Sequence, residues 1–388
     1  MTKIIHIAHG SRSKSTGNIK GLCNDWHHKV AKSIQQNSKN LNIECWRPEV
    51  KYKENKIIKY KGILHRIFKC ELSLYFSKEI SFSMLKELRK LSYKKKIIIH
   101  LHEYYSWHGI IIPYIVHPQT IIIGQNHGAV NPLKQIKRRN ILKLFPFISI
   151  IEEILIRKSL KKYDLIGTTN NIDLNYLKSI NIKNCVSMVA GVNDSLINSK
   201  ISLNDSMKYF KSFYNYTKNY NKTFLYVGEV KENKGINELI DSFCILKRSL
   251  SYKYCDLFIV GNHNFNNDKV NRLRTFYNIH LVNYISHDKL IHFYNVCDIY
   301  VHPSYTEGAS VSIMEAYSLG IPIITTDTGN VKDFIIHGKN GFIVKKKSVD
   351  SLFTKMVKSL NYKFESKHNN KYSMDVLSKK IIKYYKDF

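Results

Sequence analysis

Residues 302–344 read HPSYTEGASVSIMEAYSLGIPIITTDTGNVKDFIIHGKNGFIV, and this stretch decides the fold. The β-branched run 297–303 (CDIYVHP) predicts a strand, which gives way to a polar loop from Ser304 to Ser310. A helix follows from Val311 to Leu319, Gly320 stops it, and Pro322 opens the next strand at 321–326 (IPIITT). Strand, loop, helix and strand in that order build a parallel sheet with helices over its faces.

The same rhythm extends on both sides. Strands are expected at 223–230, 255–261, 280–285 and 340–345, with helices at 235–249, 267–277, 288–296 and 348–360. The first half offers strands at 3–9, 96–102, 120–126, 164–169 and 184–190. A chain of 388 residues suits two cores better than one. The fold class is therefore α/β, with two doubly wound Rossmann-like domains. Asn, Ser, Lys and Tyr crowd into 192–222, so the border belongs there: 1–205 as the first domain and 206–370 as the second. Residues 371–388 form a last helix expected to pack back on the first domain, with Val376, Leu377, Ile381, Ile382 and Tyr385 along one side.

In such sheets ligands gather where strands end and helix N-termini offer unpaired N–H groups to anions. Two loops of the second half fit. In the first, 228–235 (GEVKENKG), Lys234 stands at a strand-to-helix turn where a cation can hold a phosphate, although most surface lysines are merely solvated. In the second, Gly308 and Ala309 let a ligand approach the backbone, Ser310 is a candidate N-cap, and the amides near Val311 face an incoming anion. Glu315 lies on an otherwise apolar helix. It is either a structural hydrogen-bonding group or a carboxylate for a pair of ribose hydroxyls.

With these residues in place, the stretch resembles the nucleotide-sugar site of glycosyltransferase family 4, the large retaining GT-B group. Pro303-Ser304, Glu307 and Glu315 with seven residues between them, Ala316, Gly320 and Pro322, Gly329 with Asp333, and Gly341-Phe342 follow that family's order. The resemblance implies a GT-B architecture, its two domains facing a cleft, and transfer of a sugar from a nucleoside-diphosphate sugar to a glycan or lipid-linked hydroxyl. It implies that Glu307 contacts the transferred sugar, Glu315 the ribose, and Lys234 with the Ser310 and Val311 amides the diphosphate. Residues around Ile285 would lie against the base. No metal or other cofactor is implied. One departure stands out: Glu229 occupies the position where the family has a phosphate-binding arginine, so either Lys231 compensates or Glu229 turns away. A relative that has lost activity and serves as a partner subunit is one rival reading.

The first domain resembles the family more loosely. Gly17 matches one glycine of the family's phosphate-facing loop, and His127, in Asn126-His127-Gly128, matches a histidine near the donor sugar. His100 and His102 end a neighbouring strand, but no third residue at recognisable spacing argues for a metal. The net charge is +31, and the first 200 residues hold 34 of the 61 Lys and Arg but only 13 of the 30 Asp and Glu. That field favours anionic partners, although Lys, Asn and Ile are abundant throughout and compositional drift accounts for part of it. A basic nucleic-acid-binding protein is the rival reading from another class, but no recognition motif is visible, so nucleic acid is not expected as a partner. Residues 134–162 alternate basic clusters with an apolar centre, the pattern of a helix lying on an anionic membrane surface or of a core helix with a solvated basic face. Seven scattered cysteines without a C-x-x-C pair point to buried thiols, and a cytoplasmic setting with peripheral contact to the inner face of the membrane is the expectation.

Overall fold

The computed structural model describes residues 2–8, 25–50, 52–74, 78–127, 146–189, 191–214, 216, 222–248 and 254–388. The chain divides into two units, Met1–Gly191 with Met374–Phe388, and Val192–Ser373. The division falls before the expected border at 205/206, and packing explains why. The helix Leu203–Tyr214 buries Phe210 against Phe258 and Phe293 of the second unit. Upstream, Asn295 donates from Nδ2 to the Ile201 carbonyl at 2.9 Å, so the segment before that helix belongs to the second unit as well.

The second unit is a six-stranded parallel sheet in the order Ile279–Val282, Cys255–Val260, Lys222–Val227, Ile299–His302, Ile323–Thr326 and Gly341–Val344. Counted along the chain this is 3-2-1-4-5-6, the order of dinucleotide-binding sheets. The order reverses between Lys222–Val227 and Ile299–His302, so the loops leaving these two strands border the crevice where such folds take ligands. Those loops are 228–235 and 303–310. Phe224, Phe243, Leu257 and Ile324 are fully buried in the core that holds the strands in register.

The first unit is an eight-stranded sheet, parallel except at one edge, where Lys56–Tyr60 runs antiparallel to Ile63–Lys69. Its order reverses between Thr2–Ile7 and Ile97–His102. The strand Leu41–Glu49 joins the sheet beside Thr2–Ile7, although its sequence, LNIECWRPE, breaks the apolar pattern of a buried strand. The charges are satisfied locally: Glu44 accepts from Lys3 and from Trp46 Nε1 at 2.8 Å, and forms an ion pair with Arg66, whose Nε lies 3.1 Å away. A buried carboxylate with two donors and a second cation beside it is tolerated where an unpaired one is not.

The helix Met374–Lys386 packs on Trp26–Asn37 of the first unit. Leu377, Ile381, Ile382 and Tyr385 are buried there, whereas Val376 is exposed. Val376 lies a third of a turn off the apolar stripe, which is the correction to the side assigned from sequence. Among the described residues no helix is long and apolar enough to cross a membrane. The visible part of the basic–apolar segment is the helix Pro146–Leu160. Residues 128–145, and with them 134–145 of that segment, lie outside the described residues, as does Gly17.

Candidate functional site

The turn Glu232–Lys234 ends at Gly235, whose φ is +71°. A Cβ there would stand 2.1 Å from the carbonyl oxygen of Pro303, so glycine lets the two loops of the crevice touch. Tyr305 N–H donates to the Asn233 carbonyl at 2.9 Å, and the Ser304 hydroxyl lies 3.3 Å from the same oxygen. On the far side Gly329, at φ +52°, comes so close to the Gly308 carbonyl that a Cβ would sit 2.2 Å from it. The loop 303–310 is thus clamped between two glycine contacts.

This clamp brings Lys234 and Glu307 together across 73 residues: Lys234 Nζ donates to Glu307 Oε1 at 2.7 Å. His302 Nε2 lies 2.9 Å from the same oxygen. His302 is buried, stacks on Tyr226 with ring centroids 5.2 Å apart, and faces the Tyr300 hydroxyl through Nδ1 at 3.3 Å. Burial alone would raise the Glu307 pKa. The hydrogen bond and charge at His302, with Lys234 beside it, outweigh burial and hold it at about 2. Glu307 is therefore an ionised carboxylate, with its charge balanced before any ligand arrives.

The helix Val311–Ser318 begins at Ser310, which occupies the cap position but makes no side-chain capping bond. Its first-turn amides consequently have no side-chain acceptor from the cap. The helix closes with Gly320 N–H on Tyr317 O and Ile321 N–H on Ala316 O, both at 3.0 Å, the Schellman arrangement expected of the Gly-x-Pro stop. Glu315, only 2% exposed, accepts from the Tyr294 hydroxyl at 2.8 Å, and His287 Nδ1 lies 3.7 Å from its other oxygen. Burial, then the adjacent Glu315, pushes the Tyr294 hydroxyl well above its ordinary pKa, so it remains a donor.

A cavity of about 640 Å³ opens here, lined by Gly228, Gly261, Ile285, His287, Val311 and Glu315 among others. Of the residues singled out in the second half, Ile285, Val311 and Glu315 line this cavity, whereas Lys234, Glu307 and Ser310 stand on the adjoining loops outside its lining. Gly308 and Ala309 form the loop backbone between Glu307 and the helix. Glu229 and Lys231 also line the cavity, but they engage each other, Lys231 Nζ to Glu229 Oε2 at 2.9 Å, with both side chains mostly exposed. Sequence reasoning missed His302 and Tyr294, which orient the two glutamates. His302 lay in the quoted motif; nothing in the sequence marks Tyr294.

In the first unit, His127 follows the strand Ile121–Gln125 and joins a cluster of histidines. His102 Nδ1 lies 2.9 Å from His127 Nε2, and His102 Nε2 lies 3.1 Å from His6 Nδ1. His6 Nε2 then meets the Tyr385 hydroxyl at 2.9 Å, which meets His100 Nδ1 at 2.6 Å. Burial, with His27 adding to it, lowers His6 to about 3; His100, His102 and His127 are held well below their ordinary value, mainly by burial. The third imidazole that spacing did not reveal is supplied by other strands and by a helix.

A 3-2-1-4-5-6 sheet with a carboxylate-lined crevice at its switch point, in a chain whose other unit is a second, mainly parallel sheet, has the GT-B fold. Residues 211–374 match the family described as Glycosyl transferases group 1, and this part of the chain is a domain of that family. The sucrose-phosphate synthase of Thermosynechococcus elongatus superposes over 100% of this chain and 99% of its own with a TM-score of 0.69 at 15% identity. Anabaena HepE in complex with UDP-glucose superposes over the whole of both chains at 0.68 and 12%. The capsular polysaccharide biosynthesis glycosyltransferase CapM of Staphylococcus aureus is 29% identical over 177 residues, 42% of this chain and 45% of that protein. The match thus spans less than half of that relative's length.

Proposed function

We propose that this protein transfers a glycosyl group, with retention, from a nucleoside-diphosphate sugar to a hydroxyl of a glycan or lipid-linked acceptor in cell-surface polysaccharide or glycolipid synthesis. The observation that carries the reading is the pairing of a buried, oriented Glu315 at the cavity wall with an ionised Glu307 on the adjoining loop. In this reading Glu315 accepts from the ribose hydroxyls, and Ile285 lies against the base. The amides at Ser310 and Val311 take the diphosphate. Lys234 shares its charge between Glu307 and the departing phosphate, and Glu307 holds hydroxyls of the transferred sugar. Fixed positive groups aimed at the charge that develops on the leaving group lower the barrier without rearrangement. The leaving phosphate itself takes the acceptor proton on the same face, so the carboxylates are not a glycosidase acid–nucleophile pair. Gly17 and His127 keep the roles the resemblance gives them. CapM acts, by its description, in capsule synthesis, and HepE was solved with UDP-glucose, which favours a polysaccharide pathway and a uridine donor.

Peripheral membrane contact belongs to the same reading. Ile150, Ile151 and Ile154 are exposed on the helix Pro146–Leu160, which carries Arg157 and Lys158 in its last turn.

Calorimetric titration with a panel of sugar nucleotides tests the proposal. One donor should bind, and Glu315→Ala should weaken it roughly 10- to 100-fold by removing a buried polar partner of the ribose. Silence across the panel, or a Glu315→Ala variant that binds like wild type, would sink it.

A further inference from the structure

The helix His287–Val296 carries His287, Leu290 and Tyr294 at a spacing that sets all three side chains on one face. His287 and Leu290 line the cavity of the second unit, as does Glu315 of the helix Val311–Ser318. A helical side chain leans toward the N-terminus of its helix, so Tyr294 reaches back toward the turn that bears His287. Its hydroxyl donates to Glu315 Oε2 at 2.8 Å. One stripe of this helix therefore orients the carboxylate at one oxygen and faces the other oxygen at the cavity wall.

At that second oxygen the spacing is different. His287 Nδ1 lies 3.7 Å from Glu315 Oε1, beyond the reach of a direct hydrogen bond. Two groups that each hydrogen-bond the same hydroxyl oxygen at about 2.8 Å stand roughly 4 Å apart. The separation is thus one that a single hydroxyl spans, giving its proton to the carboxylate and taking one from the imidazole. The carboxylate in front of Nδ1 favours the tautomer with the proton on that nitrogen, so the ring donates where the hydroxyl oxygen needs a donor. Glu315 is already oriented by Tyr294, and steadying it does not require the imidazole.

We infer that His287 is a specificity-determining residue of the donor cavity, its Nδ1–H and Glu315 Oε1 gripping one ribose hydroxyl between them. The inference rests on the reading that Glu315 accepts from the ribose of a nucleoside-diphosphate sugar. A carboxylate alone reads the hydrogen of a hydroxyl, whereas the pair reads hydrogen and oxygen together. A nucleotide without that hydroxyl leaves an acceptor and a donor of the wall unmatched, which costs more than one lost bond. The substrate class is therefore a ribonucleotide donor, and the deoxy form that lacks the gripped hydroxyl is rejected.

The test measures, by calorimetry on the full chain, the binding of ADP, CDP, GDP and UDP, then of the 2′-deoxy and 3′-deoxy forms of the tightest. Wild type should bind one deoxy form roughly 10- to 100-fold more weakly than its parent. His287→Ala should weaken the parent roughly 5- to 10-fold and leave that deoxy form unchanged, because both changes remove the same contact. His287→Asn, whose side-chain amide nitrogen falls where Nδ1 stood, should restore most of the affinity, and His287→Gln should not. Circular dichroism checks that each variant is folded. A His287→Ala variant that binds the parent as wild type does overturns the inference, and so does one that weakens parent and both deoxy forms alike. If Glu315→Ala still weakens the parent in either case, the ribose role of Glu315 stands and only the assignment of His287 falls. If no nucleoside diphosphate binds, or Glu315→Ala changes nothing, the donor reading fails and this inference fails with it.

Discussion

Glu307 shows how much a single oxygen can settle. Its Oε1 meets both Lys234 and His302, and its pKa falls from 4.5 to about 2. A carboxylate lowered in the folded state contributes stability that is complete above about pH 4.5 and is lost as the pH falls toward 2. The shift corresponds to about 3 kcal/mol. Glu307→Gln should therefore be less stable than wild type by a margin that is constant above pH 5 and narrows below 4.5. Denaturant unfolding at a series of pH values measures it; a margin that stays flat down to pH 2.5 would refute the account. Neither the magnitude nor the partner on the histidine side was legible from the motif, because sequence spacing says which residues recur and not which atoms meet.

At the scale of elements, the site depends on loops pressed together more closely than a side chain permits. Gly235→Ala sets a Cβ 2.1 Å from the Pro303 carbonyl and holds an alanine at φ +71°. The variant is expected to lose about 2–3 kcal/mol, and its displaced turn should draw Lys234 away from Glu307. Thermal unfolding reads the first effect and donor affinity the second; an unchanged melting temperature would refute the close contact. The strands and helices of the second unit were legible within a few residues, since each strand there is short, apolar and followed by a clear turn signal. The first unit was legible only in part. Its strands at Leu41–Glu49 and Ile63–Lys69 carry Glu44, Arg47, His65 and Arg66, and no periodicity argument foresees that Glu44 pairs with Arg66 across the sheet, Arg47 with Asp25, or that His65 meets His28.

At the scale of the molecule, sequence reading and structure differ most over where the units divide. The helix Leu203–Tyr214 reads as polar with scattered aromatics, and only the three-dimensional neighbourhood of Phe258 and Phe293 assigns it to the second unit. The second unit is then one uninterrupted stretch, Val192–Ser373, whereas the first is made of two pieces. A fragment covering 192–373 should fold and unfold cooperatively on its own, but residues 1–191 alone should not. Heat-capacity traces of the two fragments separate the outcomes, and a cooperative transition in 1–191 would contradict the assignment.

The returning helix Met374–Lys386 also sets an order of events during synthesis. Val30, Ala31 and Ile34 are covered by side chains that leave the ribosome only after the whole second unit, Leu377, Ile381 and Ile382 among them. Translation proceeds at roughly 5–20 residues per second, and domains ordinarily fold in the order in which they emerge. Here the later unit is complete first, and the earlier sheet waits with an uncovered apolar groove until the returning helix emerges. The interval in which a nascent chain is most open to chaperone capture or aggregation thus spans the synthesis of the whole second unit.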